Sequence, residues 1–341
     1  MPAGNGLFNA VTIGSGLEPR ESDETFGDRL AGFVERRETQ IVLGLDPDPS
    51  RLWPHALEFA AGADDLSAPP ALRAARAVAA HCRLLIDAVA DHVVAVKPQV
   101  ACFERLGAPG WQVLAEVVQY TQAAGLLLIA DAKRGDVDIS ASAYAQAFLG
   151  ETPTPFGPVP GLGADALTVS PWLGADSVEP FIAAARDPSH PPCGVFVLAR
   201  NSNPGAADLQ ELETGSGSVS DAAARMIARL GEGGIGFGGI GNSGLSDVGA
   251  VVGATAPHRL ARLRELMPHT IFLIPGVGAQ GGQIEDLAPV FAPGRAAGLV
   301  SVSRGIAYAY ERDGGEPVDS ARREAARLRE LAWGLLSPPS R

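Results

Sequence analysis

Short apolar runs recur along the chain, and each closes on polar or glycine-rich residues. They are IVLGLD (41–46), HVVAVKP (92–98), LLLIADAK (126–133), ADALTVSP (164–171), GVFVLARN (194–201), GAVVGAT (249–255), IFLIPGVG (271–278) and GLVSVSRG (298–305). Runs of this length bounded by turn residues predict buried strands. Between them lie segments such as ALRAARAVAAHCRLLIDAVA (71–90) and GWQVLAEVVQYTQAAG (110–125), whose apolar residues recur at three-to-four spacing and predict helices. Continuous apolar strands alternating with helices imply a parallel sheet covered on both faces. Eight such units point to an α/β fold of the closed (β/α)8 TIM-barrel type rather than an open doubly wound sheet.

Length sharpens this picture. The chain has 341 residues, and a barrel of this kind needs about 250, leaving roughly 90 for additions. The additions fall in an N-terminal arm (1–24), an insert ETPTPFGPVPGLG (151–163), the stretch NSNPGAADLQELETGSGS (201–218), the glycine run GEGGIGFGGIGNSG (231–244) and the C-terminal tail. None has the apolar mass of a second domain, so a single barrel domain over about 25–335 is expected. No heptads appear, and no repeat beyond the βα alternation.

Charge and cysteine usage narrow the partners. A formal charge of −12 argues against nucleic acid or an anionic membrane, both of which select basic surfaces. A small anionic ligand stays open, since a pocket can be positive on an acidic protein. Cys82, Cys102 and Cys193 are odd in number, widely spaced and without CxxC, which reads as thiols in a reducing compartment. The first 25 residues lack a basic segment followed by an apolar one, and no run of 18 apolar residues occurs. No signal peptide and no membrane span are therefore expected, and the cytoplasm is the default location. The six histidines form no HxxxH or HExxH pattern and there is no GxSxG elbow, so neither a metal site nor a serine nucleophile is expected. His81, on an apolar helix, reads as a structural residue.

The chemistry concentrates where the strands end. In such barrels the active site lies at the carboxyl ends of the strands, and these carry Asp46, Lys97, Asp131 with Lys133, Ser170, Arg200 with Asn201, Pro275 with Gly276, and Ser303 with Arg304. Two-residue spacing on a strand puts Asp131 and Lys133 on one side, and Asp136 follows in the loop. Taken alone, such a triplet is as easily a solvated ion pair worth at most about 1 kcal/mol. The lysine count changes that weighing. Among 27 Lys and Arg residues, only Lys97 and Lys133 are lysine, and both end consecutive strands. An exposed ion pair tolerates arginine; a site that keeps lysine needs a compact ammonium or a proton to give up, and guanidinium supplies neither. At the other end of the barrel, PGVGAQGG (275–282) and SVSRG (301–305) follow strands seven and eight, where loops of these barrels often hold phosphate. Arg304 can add a bidentate contact. GVGAQG also matches GxGxxG, but at the seventh unit rather than the first βαβ, so a dinucleotide site is not expected.

At DAKRGD, with VAVKP before it and PGVGAQGG and VSRG after it, the chain resembles the orotidine 5′-phosphate decarboxylase family, in its longer bacterial form. The resemblance covers about residues 25–335. It implies a homodimeric (β/α)8 barrel, a carboxy-lyase that converts orotidylate to UMP and CO2 in pyrimidine biosynthesis with no cofactor. It further implies a charged array of Lys97, Asp131, Lys133 and, from the partner subunit, Asp136. Lys133 would protonate C6, Asp131 would sit beside the departing carboxylate, and Lys97 with Asp46 would hold the ribose. Ser140, where the family has a threonine, would reach the ribose across the interface, and Val137 replaces a usual isoleucine. Ser170 would read the pyrimidine; Gln280 and Arg304, with Pro275 and Ser303 in the same loops, would close on the phosphate. Loop 201–218 would act as a lid over it.

Two rivals follow from the same residues. Sugar-phosphate lyases and decarboxylases of this barrel group share DxKxxD but use Mg²⁺, and they carry a metal-binding acid where Lys97 stands; an ammonium there would repel the metal. A non-catalytic nucleotide-binding barrel would keep Arg304 and Gln280 but has no need of both lysines.

Overall fold

In the computed structural model, which describes residues 24–61, 67–233 and 239–336, all eight apolar runs are parallel strands of one closed barrel. In chain order they are β1 (Ile41–Leu45), β2 (Ala95–Pro98), β3 (Leu127–Arg134), β4 (Ala166–Val169), β5 (Gly194–Arg200), β6 (Val248–Val252), β7 (Phe272–Ile274) and β8 (Gly298–Val302). Each strand pairs with its sequence neighbours, and β8 closes the ring on β1 through Ile41–Val300 and Leu43–Val302.

Alternation along each strand separates two cores. On β1, Ile41, Leu43 and Leu45 face the outer helices, while Val42 points into the barrel. Helix α1 (Phe26–Arg37) plugs the amino-terminal mouth: Phe26, Leu30 and Val34 join Val42, Leu127, Ile129, Phe196 and Leu299 in the inner cluster. Thr25 and Asp28 form a capping box that starts this helix. Two strand glycines make the inner packing possible. A Cβ on Gly194 would lie 2.4 Å from the Phe26 ring, and one on Gly249 would lie 2.4 Å from the Phe196 ring. The amino-terminal arm expected over 1–24 falls outside the described residues except for Glu24, as do 234–238 of the glycine run and 337–341 of the tail.

Among the described residues, seven α-helices belong to the outer ring: α2 (Pro70–Val89), α3 (Ala108–Ala123), α4 (Asp138–Phe148), α5 (Glu179–Ala185), α6 (Val219–Gly231), α7 (Pro257–Leu266) and α8 (Pro317–Gly334). After β7 the place of a helix is taken by a 3-10 segment, Glu285–Phe291, which contains Pro289; proline lacks the N–H a regular α-helix would use there. The insert at 151–163 is a small antiparallel hairpin pairing Glu151–Thr152 with Val159–Pro160. The 201–218 stretch is folded too, with a short helix at Ala207–Gln210 and a hairpin pairing Glu213–Thr214 with Gly217–Ser218.

Acids at the strand starts serve structure. Asp165, just before β4, pairs with Arg29 of α1 at 2.6 Å and accepts the Leu128 N–H at 2.7 Å. Asp247, just before β6, makes a buried bidentate pair with Arg186 at 2.7 and 2.8 Å. Both lie at the mouth remote from the strand ends, where stability rather than catalysis is expected of the fold.

His81 of α2 is structural, as its apolar helix suggests. Its Nδ1 accepts the Trp53 N–H at 3.2 Å, and the two rings meet edge-on at 5.3 Å. Burial pushes its pKa down to about 4, so the folded protein holds it neutral. An unfolded histidine titrates near 6.5. The sign follows: above about pH 6.5 the group costs nothing, and as pH falls toward 4 the unfolded chain takes up the proton first and stability is lost. The loss should reach roughly 3 kcal/mol. Unfolding midpoints measured between pH 7.5 and 4 should therefore fall less steeply in His81→Asn than in the wild type; parallel slopes would contradict this account.

Candidate active site

The carboxyl ends of the strands open into a cleft of about 280 Å³. Asp46 from the end of β1, Lys97 from β2, Asp131 and Lys133 from β3, Pro275 and Gln280 beyond β7, and Ser303 and Arg304 beyond β8 all line it. Residues from five strands far apart in the sequence thus meet at one face because the parallel strands all end there.

Asp131 is the centre. It is 5% exposed, and Lys97 beside it is 6% exposed. Oδ2 accepts the Lys97 Nζ at 2.5 Å and the Gln99 amide at 3.4 Å. Oδ1 accepts the Lys133 Nζ at 2.5 Å and the Thr168 hydroxyl at 2.9 Å. Burial by itself would raise the Asp131 carboxyl, but the Lys97 and Lys133 ammonium groups outweigh it and hold the group well below the usual carboxylate range. Burial likewise opposes charge on Lys97, while Asp131 and Asp46 overcome it and raise its pKa. Asp131 and Lys97 are thus held ionised in a mostly apolar barrel, with Lys133 paired to the same carboxylate. Lys133 differs from Lys97 in being partly open to the cleft, with its side chain 41% exposed. It also sits at φ +48°, in the left-handed region rare for residues with a side chain.

The opposite wall is made of backbone. In the loop after β7, Gly276, Gly278 and Gly281 take φ of +97°, +73° and +93°, which favours glycine. The loop is tied to itself by Gly278 N–H to Gly282 O at 2.9 Å and Gly282 N–H to Gly276 O at 3.0 Å. Arg304 follows β8 and faces the same space.

Three candidates fall outside the cleft within one chain. Asp136 lies just past β3, half-buried, and its Oδ1 accepts the Val137 N–H at 2.8 Å. Ser140 is exposed on α4. Ser170 follows the end of β4; its N–H donates to the Arg134 carbonyl at 2.7 Å, and its side chain lies against Gly135. Residues unassigned from sequence take places instead: Gln99 and Thr168 on Asp131, and Asn201, Ser202 and Asn203 from the first turn of the 201–218 segment. Asn201 carries a buried Oδ1 without a partner among the described residues, which suits a ligand N–H donor. Strand-end position marked Asn201; the only signal for Thr168 is a hydroxyl within the otherwise apolar strand ALTV.

Fold and site together define a (β/α)8-barrel enzyme with a buried lysine–aspartate centre at the carboxyl face of its strands. The family model for orotidine 5′-phosphate decarboxylase / HUMPS matches residues 39–315, and the chain belongs to that family. It is 43% identical to the orotidine 5′-phosphate decarboxylase of Deinococcus radiodurans, over 92% of this chain and 98% of that one. It is 39% identical to the enzyme of that name from Rhodopirellula baltica, over 85% of this chain and 90% of the other. Among solved structures, OMP decarboxylase from Leishmania donovani matches with a TM-score of 0.63 at 30% identity, covering 91% of this chain and 99% of that one. Against the UMP synthase of the same organism, the chain spans 56% of that longer protein.

Proposed function

We propose that the protein decarboxylates orotidine 5′-phosphate to UMP and CO2 by stabilising and then protonating a carbanion at C6. The observation that carries this reading is the Lys97–Asp131–Lys133 array, with Lys97 and Asp131 buried and Lys133 open to the cleft. Loss of CO2 leaves an electron pair at C6 with little resonance help, so the site must supply charge where the pair develops. A fixed ammonium in a water-poor cleft does so, and the same group then delivers a proton. Asp131 and the bonds around it keep Lys133 directed there. The substrate carboxylate would meet the anionic Asp131 on the way to departure.

Binding energy comes from elsewhere on the ligand. Lys97 and Asp46 hold the ribose, while the glycine loop N–H groups, Gln280 and Arg304 hold the phosphate. A phosphate remote from C6 contributes to rate when its contacts close the site. Asn201 and Ser202, which line the cleft where Ser170 does not, read the pyrimidine. A second copy of the chain completes the site: Asp136 and Ser140 reach the ligand held by the other subunit.

The test follows the ultraviolet absorbance of orotidylate with purified protein, with and without EDTA. The expected result is loss of the orotate band at a rate EDTA leaves unchanged. Activity confined to a sugar phosphate and abolished by EDTA would favour the magnesium-using members of this barrel group. A folded protein that binds UMP and turns over nothing would be a binding barrel.

A further inference from the structure

The pairing of β3 with β4 is interrupted at the chemistry. Ile129 and Ala130 pair with Ala166 and Leu167, yet the next pair is Arg134 with Val169. Four steps along β3 are matched by two along β4, so Asp131, Ala132 and Lys133 form a bulge facing Thr168. A bulge leaves ladder groups without their usual partners and re-aims side chains. Here the side chain opposite takes over. The Thr168 hydroxyl accepts the Lys133 N–H at 3.0 Å and donates its own hydrogen to Asp131 Oδ1 at 2.9 Å. Thr168 is 1% exposed, so water does not compete for either bond.

We propose that Thr168 is a positioning residue that locks the bulge and thereby aims the Lys133 ammonium. The proposal deepens the decarboxylase reading and rests on it. One hydroxyl ties the carboxylate of residue 131 to the backbone of residue 133, the residue held at φ +48°. Without it, the Lys133 N–H loses its partner, and relaxing it rotates the whole lysine. A second effect falls in the reaction itself. When Lys133 gives its proton to C6, its own bond to Asp131 Oδ1 weakens, and Thr168 is the donor that stays on that oxygen. The carboxylate then does not follow the departing proton.

Thr168→Val keeps the volume and removes the hydroxyl. It should lower kcat about 100-fold, the scale of a misplaced reacting group, while KM and UMP affinity stay within about threefold. Thr168→Ser should return kcat to within about threefold of wild type. Should the valine variant fail to fold, Thr168→Ala against Thr168→Ser makes the same comparison, since both lack the methyl and they differ only in the hydroxyl. A kcat for the hydroxyl-free variants within twofold of wild type, or equal losses in the serine and alanine variants, overturns the proposal. Wild-type protein in the same assay separates the two readings: if it is silent, the decarboxylase reading fails and takes this one with it, whereas an active wild type with an unimpaired valine variant sinks only the role of Thr168.

Discussion

Lys133→Ala is expected to reduce orotidylate turnover by at least about 10⁴-fold while leaving UMP bound nearly as well as by wild type. Lys133 is assigned two duties in one step, charge stabilisation at C6 and proton delivery. Each is worth two or more orders of magnitude in enzymes where it has been isolated, and one deletion removes both. Product binding should survive because the residues proposed to hold the ribose and phosphate come from β1, β2, β7 and β8. The fold should survive too, since the Lys133 side chain is 41% exposed and only its Nζ is engaged. Its removal still leaves Asp131 with Lys97, Gln99 and Thr168. Single-turnover absorbance at high enzyme concentration, beside calorimetric titration with UMP, gives both numbers. Retained turnover would strip Lys133 of its role.

Mixing two inactive proteins should restore activity. Lys133→Ala lacks the proton donor, Asp136→Ala lacks the residue given to the other subunit, and each is expected to be nearly silent alone. In a twofold dimer, a mixed pair carries one site with both residues intact. Random exchange should return roughly a quarter of wild-type activity per site. The shared site is motivated by where Asp136 lies: beyond β3, outside its own cleft, beside Val137 and Ile139, which are 42% and 86% exposed. Trp172 and Leu173, after β4, are also exposed. Exposed apolar side chains flanking a carboxylate suit a surface covered by another copy. Native mass spectrometry would establish exchange, and proven mixed dimers without activity would rule the shared site out.

The barrel was legible because buried parallel strands write themselves as continuous apolar runs. All eight appear at the places the pattern marks, and α2 and α3 begin and end within two residues of the segments read from it. Less visible was α1 as a plug: FGDRLAGFVERR reads as any surface helix, and the apolar mouth it fills exists only once the ring has closed. The lysine count singled out Lys97 and Lys133, and both meet Asp131 in the structure, but strict alternation was the wrong reason for Asp131 and Lys133 meeting. They meet on a bulge with Lys133 in left-handed backbone, which no spacing rule encodes. Strand-end position also marked Ser170. It shares parity with Thr168, yet β4 ends at Val169 and the next N–H turns to Arg134, leaving Thr168 at the centre and Ser170 aside.

The closure of β8 on β1 bears on how the protein is made. Synthesis delivers β1 first of the eight strands and β8 last, so until β8 emerges the sheet has two open edges, each a template for wrong pairing. The ring is fastened only when Ile41 and Leu43 find Val300 and Val302. Asp46 stands at one side of that fastening and Arg304 at the other. A nucleotide held by both, as proposed, would bridge the final join of the chain, and at a hundred times its dissociation constant it would add about 2.7 kcal/mol to the finished ring. The cell's own product pool would then serve as a clasp on newly completed molecules.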